Sequence, residues 1–239
     1  MSDAEAGAPV RDVARALEEL RGRIERACAQ AGRDASEISI LAVTKGFGPE
    51  AIEAAISANI ADIGENYLQE AQAKFARVIW PSRVRRHFIG SVQRNKARKI
   101  AALFDVVETV DSVELADALD RGAADAGKTL DVLIQVNVAG DARNGIAPDE
   151  SLALGRRFDA LSNLRLRGVM AVGPIGRTQS GAAFKEAADA FDALARAHAG
   201  IDTLSMGMSD DLEAAVAAGS TLVRIGTALF GPRPTKGKG

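Results

Sequence analysis

Cysteine and histidine are scarce in this 239-residue sequence, which contains one cysteine, Cys28, and two histidines. A single cysteine excludes an intrachain disulfide, and its helical register with neighbouring apolar residues favours a buried side chain over a reactive thiol. His87 and His198 have no metal-ligand spacing to each other or to Cys28, so we expect no metal site. We interpret both histidines as structural residues, His87 early in a strand and His198 near the end of a helix.

The sequence also lacks long apolar runs and a large net charge. No segment approaches the length of a membrane span, and the first nine residues have no apolar signal core. The formal net charge of −2 gives no reason to expect nucleic acid or an anionic membrane as a partner. The basic run at 94–99 has no interleaved aromatic residues, which favours a solvated helix face over RNA binding. We therefore expect a cytoplasmic protein that binds neither membranes nor nucleic acid.

What the sequence does contain is a strict alternation of strand-like and helix-like segments. A leading helix over about 10–30 precedes eight apolar runs, each followed by a helical pattern. The predicted strands are 38–46, 60–64, 86–90, 104–110, 130–138, 166–172, 203–206 and 222–225. Eight βα units in one domain of this length predict an α/β fold, a closed (β/α)8 TIM barrel. A doubly wound open sheet is the alternative, because periodicity does not reveal closure. The predicted domain is 10–231, with flexible tails at 1–9 and 232–239.

Lys45 ends the first predicted strand and is followed at once by Gly46, Gly48 and Pro49. Burial at the end of an apolar strand disfavours the charged ammonium and favours the neutral amine. A neutral amine is what Schiff-base formation with an aldehyde requires. The alternative is an ordinary lysine that extends its ammonium group into solvent.

Small and hydroxyl-bearing residues end the last two strands. We expect Ser209 to cap a helix after strand seven, while Gly226 and Thr227 follow strand eight. Loops at these positions often bind phosphate in barrels, although each residue could equally be a plain cap or turn. A lysine opposite a phosphate site suggests a phosphorylated aldehyde, of which pyridoxal phosphate (PLP) is the common one. Arg224 could donate a hydrogen bond to the ring nitrogen of PLP, provided that this nitrogen is unprotonated.

Five segments distributed from strand one to strand eight carry a specific resemblance. They are AVTK (42–45), GENYLQE (64–70), HFIG (87–90) with Gln93, Asn95 and Lys96, LSMGMSDD (204–211) and VRIGT (223–227). Together they resemble the pyridoxal-phosphate homeostasis protein family, whose members are single-domain, alanine-racemase-like proteins. The resemblance covers nearly the whole chain.

The resemblance implies a barrel like the N-terminal domain of alanine racemase that binds PLP as an internal aldimine. It also implies a role in intracellular PLP (vitamin B6) homeostasis without a well-established catalytic activity. Carried over by motif, the cofactor-binding residues would be Lys45 as the Schiff-base lysine, Arg224 at the ring nitrogen, Ser209, Gly226 and Thr227 at the phosphate, and Asn66 and Met206 lining the cofactor.

The sequence departs from the family pattern in two places. Many relatives have Lys-Thr-Lys-Pro after the first strand, where this chain has Lys45-Gly46-Phe47-Gly48-Pro49. Relatives often carry a lysine in the loop after strand five, where this chain has Arg143. Because arginine does not form an aldimine under ordinary conditions, the resemblance does not extend to a role of that lysine in secondary cofactor binding or transfer.

Two classes of function follow from these observations. In the first, the protein holds PLP without turnover and supplies it to PLP-dependent apoenzymes, and we expect it to be a monomer rather than a homodimer. The alternative is a small PLP-dependent racemase or decarboxylase. A racemase needs a second acid/base group on the opposite face of the substrate. The one tyrosine, Tyr67, lies on the same barrel as Lys45, so we expect it not to reach that face and predict no racemase activity.

Overall fold

Eight parallel strands close into a barrel in this computed structural model, which describes residues 12–140, 144–174 and 180–233. The strands are β1 Ser39–Val43, β2 Asp62–Glu65, β3 Arg85–Phe88, β4 Val106–Val110, β5 Leu130–Val136, β6 Leu164–Ala171, β7 Thr203–Ser205 and β8 Leu222–Ile225. Each strand pairs with its neighbours in the chain, and β1 pairs with β8 through the register Leu41 to Arg224, which closes the sheet. The predicted (β/α)8 TIM barrel is therefore confirmed, and the open sheet is wrong.

Helices follow the strands and form the outer layer. They are α1 Val13–Ala31, α2 Pro49–Ser57, α3 Leu68–Phe75, α4 Ala97–Leu103, α5 Val113–Asp125, α6 Ser151–Gly155, α7 Ser180–Ala197, α8 Leu212–Ala217 and α9 Thr227–Phe230. Short 3-10 turns cover Ala35–Glu37, Arg94–Lys96, Pro148–Glu150 and Arg156–Ala160. Among the described residues, no helix combines the length and the apolar character that a bilayer crossing demands.

The leading helix α1 has clear start and stop signals. The Asp12 carboxylate accepts a hydrogen bond from the Arg15 amide, and Gly32 ends the helix at a φ of 67°. The apolar face of α1 is buried and includes Cys28, as its register predicted. Burial raises the pKa of the Cys28 thiol, which agrees with a packing role for this side chain.

The strands alternate between the two faces of the barrel wall. Outward-facing residues such as Ala42, Ile63 and Val223 belong to the large apolar cluster that the helices cover. Leu41 and Val43 form a separate small cluster with Leu222 and Ile89. The interior of the barrel therefore contains little apolar packing, and polar side chains occupy much of the remaining space.

Two local predictions differ from the structure. Ser209 does not cap a helix: α8 begins at Leu212, and the Asp211 carbonyl accepts the amide of Ala215. The reason is a tight turn in which the Asp211 carboxylate accepts the Met208 amide at 2.6 Å. The basic run at 94–99 is not one continuous helix either, since a 3-10 turn precedes α4; its arginine and lysine side chains are exposed.

Candidate cofactor-binding site

A cavity of about 290 Å³ lies at the carboxyl end of the barrel, where the loops after the strands meet. Six of the seven predicted site residues line it, namely Lys45, Asn66, Ser209, Arg224, Gly226 and Thr227. Met206, the seventh, is fully buried and is not part of the lining. The chain turns at Gly207, with a φ of 92°, and brings Met208 to the cavity instead. Met206 therefore supports the wall from behind.

The Lys45 side chain enters this cavity directly after β1. It is half-buried, and it makes no hydrogen bond or ion pair to any residue in the described ranges. Burial lowers the pKa of the Lys45 amine, and the positive charges of Arg233 and Arg224 lower it further. The direction of this shift agrees with the sequence-based expectation, although the carboxylates of Glu65 and Glu70 oppose it in part.

A second lysine fixes the strand end from the other side of the barrel wall. The Lys74 ammonium donates to the Thr44 carbonyl and to Glu65 Oε1, each at 2.7 Å, and pairs with Glu70 Oε1 at 2.5 Å. The Thr44 hydroxyl also donates to Glu65 Oε1 at 2.7 Å. Glu70 accepts the Gly46 amide at 2.6 Å, so the backbone on both sides of Lys45 is held by this cluster.

Arg224 lies on β8, where only 5% of the residue is exposed. Its Nη1 donates to the Ser205 carbonyl at 2.7 Å and to the Ser205 hydroxyl at 2.8 Å. Its Nη2 donates to the Ala171 carbonyl at 2.7 Å. A guanidinium has five N–H donors, so the Nε–H and one Nη2–H are left without a partner among the described residues. An acceptor bound in the cavity could use them.

The loops after β7 and β8 form the side of the cavity next to β1, not opposite it as the sequence had suggested, because β8 pairs with β1 in the closed sheet. Ser209 and Thr227 contribute hydroxyl groups to the lining. The Ser209 carbonyl accepts from Arg23 Nη2 of α1 at 3.0 Å, which holds this loop against the barrel. At Gly226 a Cβ would lie 3.3 Å from the Val43 carbonyl oxygen, so glycine lets the loop pass close to β1.

An unsatisfied polar atom supports the presence of a ligand in this cavity. Asn66 Oδ1 is buried and has no hydrogen-bond partner in the part of the chain that the structure describes, although Asn66 lines the cavity. A buried amide without a partner is costly, and a bound molecule would satisfy it. An accessible amine, free guanidinium donors, two hydroxyls and this amide together fit the aldehyde, ring and phosphate groups of PLP.

Sequence reasoning missed part of the lining. Part of the lining is apolar surface that the sequence analysis did not assign to the site. It comes from Phe47, Ile89, Met170 and Val172. Arg233 falls in the predicted flexible tail 232–239, yet it lines the cavity, and its Cδ lies 2.9 Å from the place of a Cβ on Gly46. The rest of that tail from 234 onward, residues 1–9 and Arg143 lie outside the described residues.

A larger cleft of about 400 Å³ opens at the other end of the barrel, between α1 and the amino ends of β1 and β2. Its charged lining residues are Arg21, Glu25 and Asp62, and no lysine or histidine lines it within the part of the chain that the structure describes. Barrels of this kind place their chemistry at the carboxyl ends of the strands. We therefore assign the smaller, carboxyl-end cavity as the functional site.

Comparison with known proteins identifies the class to which this fold and site belong. The family model described as the alanine racemase N-terminal domain matches residues 16–234. An alanine racemase from Clostridium difficile has the same fold, with a TM-score of 0.72 and 16% identity, over 99% of this chain and 61% of that one. The chain is thus an alanine racemase N-terminal-type barrel.

Closer relatives narrow this class to one family. A pyridoxal phosphate homeostasis protein of Pseudomonas aeruginosa is 43% identical over 227 residues, which cover 92% of this chain and 96% of the relative. Its counterpart in Escherichia coli K12 is 41% identical over 228 residues, 93% and 97% of the two chains. PipY of Synechococcus elongatus, solved with PLP bound, aligns with a TM-score of 0.79 at 33% identity, over 92% of this chain and all of that one. This chain belongs to the pyridoxal phosphate homeostasis protein family.

Proposed function

We propose that this protein binds PLP covalently through Lys45 and serves intracellular PLP homeostasis in the cytoplasm without catalytic turnover. The names of its relatives and the PLP-bound structure of PipY support the ligand and the role. The observation that carries the proposal is the placement of Lys45, which lies partly desolvated, and without a hydrogen-bond or ion-pair partner among the described residues, in the cavity that Arg224, Ser209 and Thr227 also line.

Each of these residues has a distinct task in the proposal. PLP supplies an aldehyde that an amine can attack and a ring that can withdraw electrons. Lys45 provides the amine, and the free donors of Arg224 face an unprotonated ring nitrogen. Ser209, Gly226 and Thr227 hold the phosphate through hydroxyls and close backbone approach, while Asn66 contacts the ring region with its unsatisfied amide.

The experiment is a visible absorption spectrum of the purified protein with added PLP, before and after borohydride reduction. We expect a protein-bound PLP band that borohydride converts into a stable adduct. Lys45→Ala should lose both the band and the adduct. Lys99→Ala, an exposed lysine of α4, is the matched control and should behave as the wild type. Wild-type protein that forms no adduct with PLP would refute the proposal.

The alternative is a small PLP-dependent racemase or decarboxylase, and the cavity lining argues against a racemase. Racemisation requires one group to remove a proton from Cα and another to deliver one to the opposite face. Tyr67 is 61% exposed and does not line the cavity, and the described lining contains no histidine or cysteine; its one carboxylate, Asp210, already interacts within the protein. We therefore propose a carrier that acts as a monomer and supplies PLP to apoenzymes.

Incubation of the PLP-loaded protein with L-alanine and other L-amino acids separates the two functions. We expect the enantiomer ratio to stay constant, Cα to take up no solvent deuterium beyond a protein-free PLP control, and no carbon dioxide to be released. Sustained turnover that Lys45→Ala and Tyr67→Phe both abolish would establish the racemase instead. Transfer of PLP from the loaded protein to an added apoenzyme would test the carrier role, and the mass of the protein in solution would test the monomer.

A further inference from the structure

A continuous network of buried polar side chains crosses the inside of the barrel and ends at Arg224. We call it the interior network; its members are Asp62 on β2, His87 on β3, Glu108 on β4, Ser205 on β7 and Arg224 on β8. All five residues are at least nine-tenths buried. The network thus connects the amino end of the barrel, where Asp62 begins β2, with the candidate site at the carboxyl end.

Glu108 is the centre of this network. Its Oε1 lies 2.7 Å from His87 Nδ1, and its Oε2 accepts the Ser205 hydroxyl at 2.6 Å across the barrel. The Ser205 hydroxyl oxygen in turn accepts from Arg224 Nη1 at 2.8 Å. The Glu108 carboxylate is therefore linked through one hydroxyl group to the arginine that faces the cavity.

His87 lies at the far side of Glu108, between two carboxylates. Its Nδ1 faces Glu108, and its Nε2 faces Asp62 Oδ1 at 2.9 Å. A ring between two carboxylates can satisfy both only if both nitrogens carry a proton. Burial opposes this charge, but the hydrogen bonds to Asp62 and Glu108 raise the pKa of His87. Acidic and basic side chains consequently alternate from Asp62 through His87 and Glu108 to Arg224, with the Ser205 hydroxyl as the link between the last two.

Stability alone gives a poor reason for such a network. The interiors of these barrels are usually filled with branched apolar side chains. Buried ionic groups lose their hydration, and well-packed apolar residues often stabilise a fold equally well. What the network does provide is orientation, because a buried and fully bonded side chain has one rotamer available to it.

We propose that Glu108, anchored by His87, and Ser205 are positioning residues that orient the Arg224 guanidinium toward an unprotonated ring nitrogen. The inference rests on the proposed function and deepens it. Ser205 and Ala171 occupy three of the five N–H donors of Arg224, so the remaining donors have a fixed direction only while this network is intact. The backbone carbonyls alone do not restrain rotation of the guanidinium as strongly as three acceptors do.

The test uses two ligands that differ only at the ring nitrogen. One is PLP, and the other is the 1-deaza analogue, in which carbon replaces that nitrogen. Affinities are measured by titration for wild type, Glu108→Gln and Ser205→Ala. Glu108→Gln keeps the size of the side chain but removes its charge, whereas Ser205→Ala removes only the bridging hydroxyl. Thr109→Val is the matched control, since Thr109 is buried on the same strand and bonds to the Gly90 carbonyl, outside the network.

We expect Glu108→Gln to lower the affinity for PLP by about tenfold, because a misdirected hydrogen bond from a charged donor loses much of its strength. The affinity for the 1-deaza analogue should change by less than about twofold, since that ligand has no ring acceptor. Ser205→Ala should show the same selectivity to a smaller extent, and Thr109→Val should show none. Borohydride should still label Lys45 in every variant at saturating PLP.

Equal losses for the two ligands, or no loss for either in a folded variant, would overturn the inference. If Glu108→Gln does not fold, Ser205→Ala decides by the same criterion. Wild-type protein that binds neither ligand would refute the proposed function and the inference with it. Wild-type binding of both ligands combined with unselective variants would refute the inference alone.

Discussion

Two lysines lie at the carboxyl end of β1, Lys45 in the cavity and Lys74 on the surrounding helix α3. Their side chains differ in burial and in hydrogen-bond partners. Lys74 is almost fully buried and bonds the Thr44 carbonyl and the carboxylates of Glu65 and Glu70. Lys45 is only half-buried, yet it has no hydrogen-bond or ion-pair partner in the described part of the chain, and two arginines lower its amine pKa further. Lys74 is thus committed to the hydrogen bonds and ion pairs that hold the strand end, whereas the Lys45 amine faces the cavity with no such partner among the described residues.

The two lysines also depend on each other. The Lys74 cluster fixes the end of β1 through Thr44 and the turn after it through the Gly46 amide. Lys45 lies between these two points, so its backbone is restrained while its amine has no partner within the described ranges. We infer that Lys74 keeps the position of Lys45 without contacting it.

The largest expected effect comes from removing the Lys74 charge. Lys74→Met should destabilise the fold by about 3–5 kcal/mol, because it leaves Glu65 buried without its cation. Burial already raises the pKa of Glu65, and the variant should raise it more. A raised carboxyl pKa in the folded state means that folding takes up a proton, so the deficit should be smaller at about pH 5 than at about pH 8.

Urea unfolding of wild type, Lys74→Met and the double variant Lys74→Met/Glu65→Leu measures this effect. The double variant should recover much of the lost stability, because it also removes the Glu65 carboxylate, which Lys74→Met leaves buried without a cation. Lys99→Met, on the exposed face of α4, is the control. A Lys74→Met protein as stable as wild type would show that the two lysines do not differ in the way described.

A smaller effect, on ligand affinity, is expected at the loops after β7 and β8, which carry Ser209 and Thr227. Removing the Ser209 or Thr227 hydroxyl should weaken PLP binding by about 1.5–3 kcal/mol each, as is typical of hydrogen bonds to charged groups. Pyridoxal, which has no phosphate, should lose much less affinity. Titration of Ser209→Ala, Thr227→Ala and the double variant with both ligands makes this comparison. Equal losses for PLP and pyridoxal would mean that these hydroxyls support only the fold.

The smallest expected effect concerns the charge next to Lys45. The rate at which Lys45 captures PLP should rise with pH as its amine loses a proton. Because the pKa of this amine is lowered, the rise should be complete at a lower pH than for an ordinary lysine, whose pKa is about 10.4. Arg233→Gln removes a neighbouring positive charge, so the amine pKa should increase and the profile should move to higher pH. Arg26→Gln, exposed on α1, is the control. A shift to lower pH would contradict the assigned environment.

The fold was predictable because the alternation of strands and helices is a local property of the sequence. The number of βα units predicted closure as well, but periodicity alone left an open sheet as the alternative, since closure depends on the pairing of β1 with β8 through Leu41 and Arg224, which are far apart in the chain. The prediction of a helix cap at Ser209 was wrong because the helix start depends on a side-chain contact that the sequence pattern does not determine. The Asp211 carboxylate bonds the Met208 amide and moves the helix start to Leu212, and several residues in that segment could have made such a turn.

The candidate site was predictable where a motif ends a strand, as at Lys45 and Arg224. Side chains that meet across the barrel carry no such signal. Glu108 is the one ionisable residue in the strand Val106–Val110, whose other residues are three valines and Thr109, and its position there does not identify its partners. Its contact with Ser205 joins residues 97 positions apart in the sequence. Arg233 was missed because a Gly- and Pro-rich terminal segment resembles a tail.

The measurement that tests the central claim most directly is the location of the borohydride-trapped label in wild-type protein. The protein is incubated with a stoichiometric amount of PLP near neutral pH, reduced, digested and mapped by mass spectrometry. We predict that the label lies on the peptide containing Lys45 and that Lys74 and the exposed lysines Lys96 and Lys99 stay unmodified. Label found chiefly on any other lysine would contradict the account, because the Lys45 amine in the cavity would then not be the one that reacts.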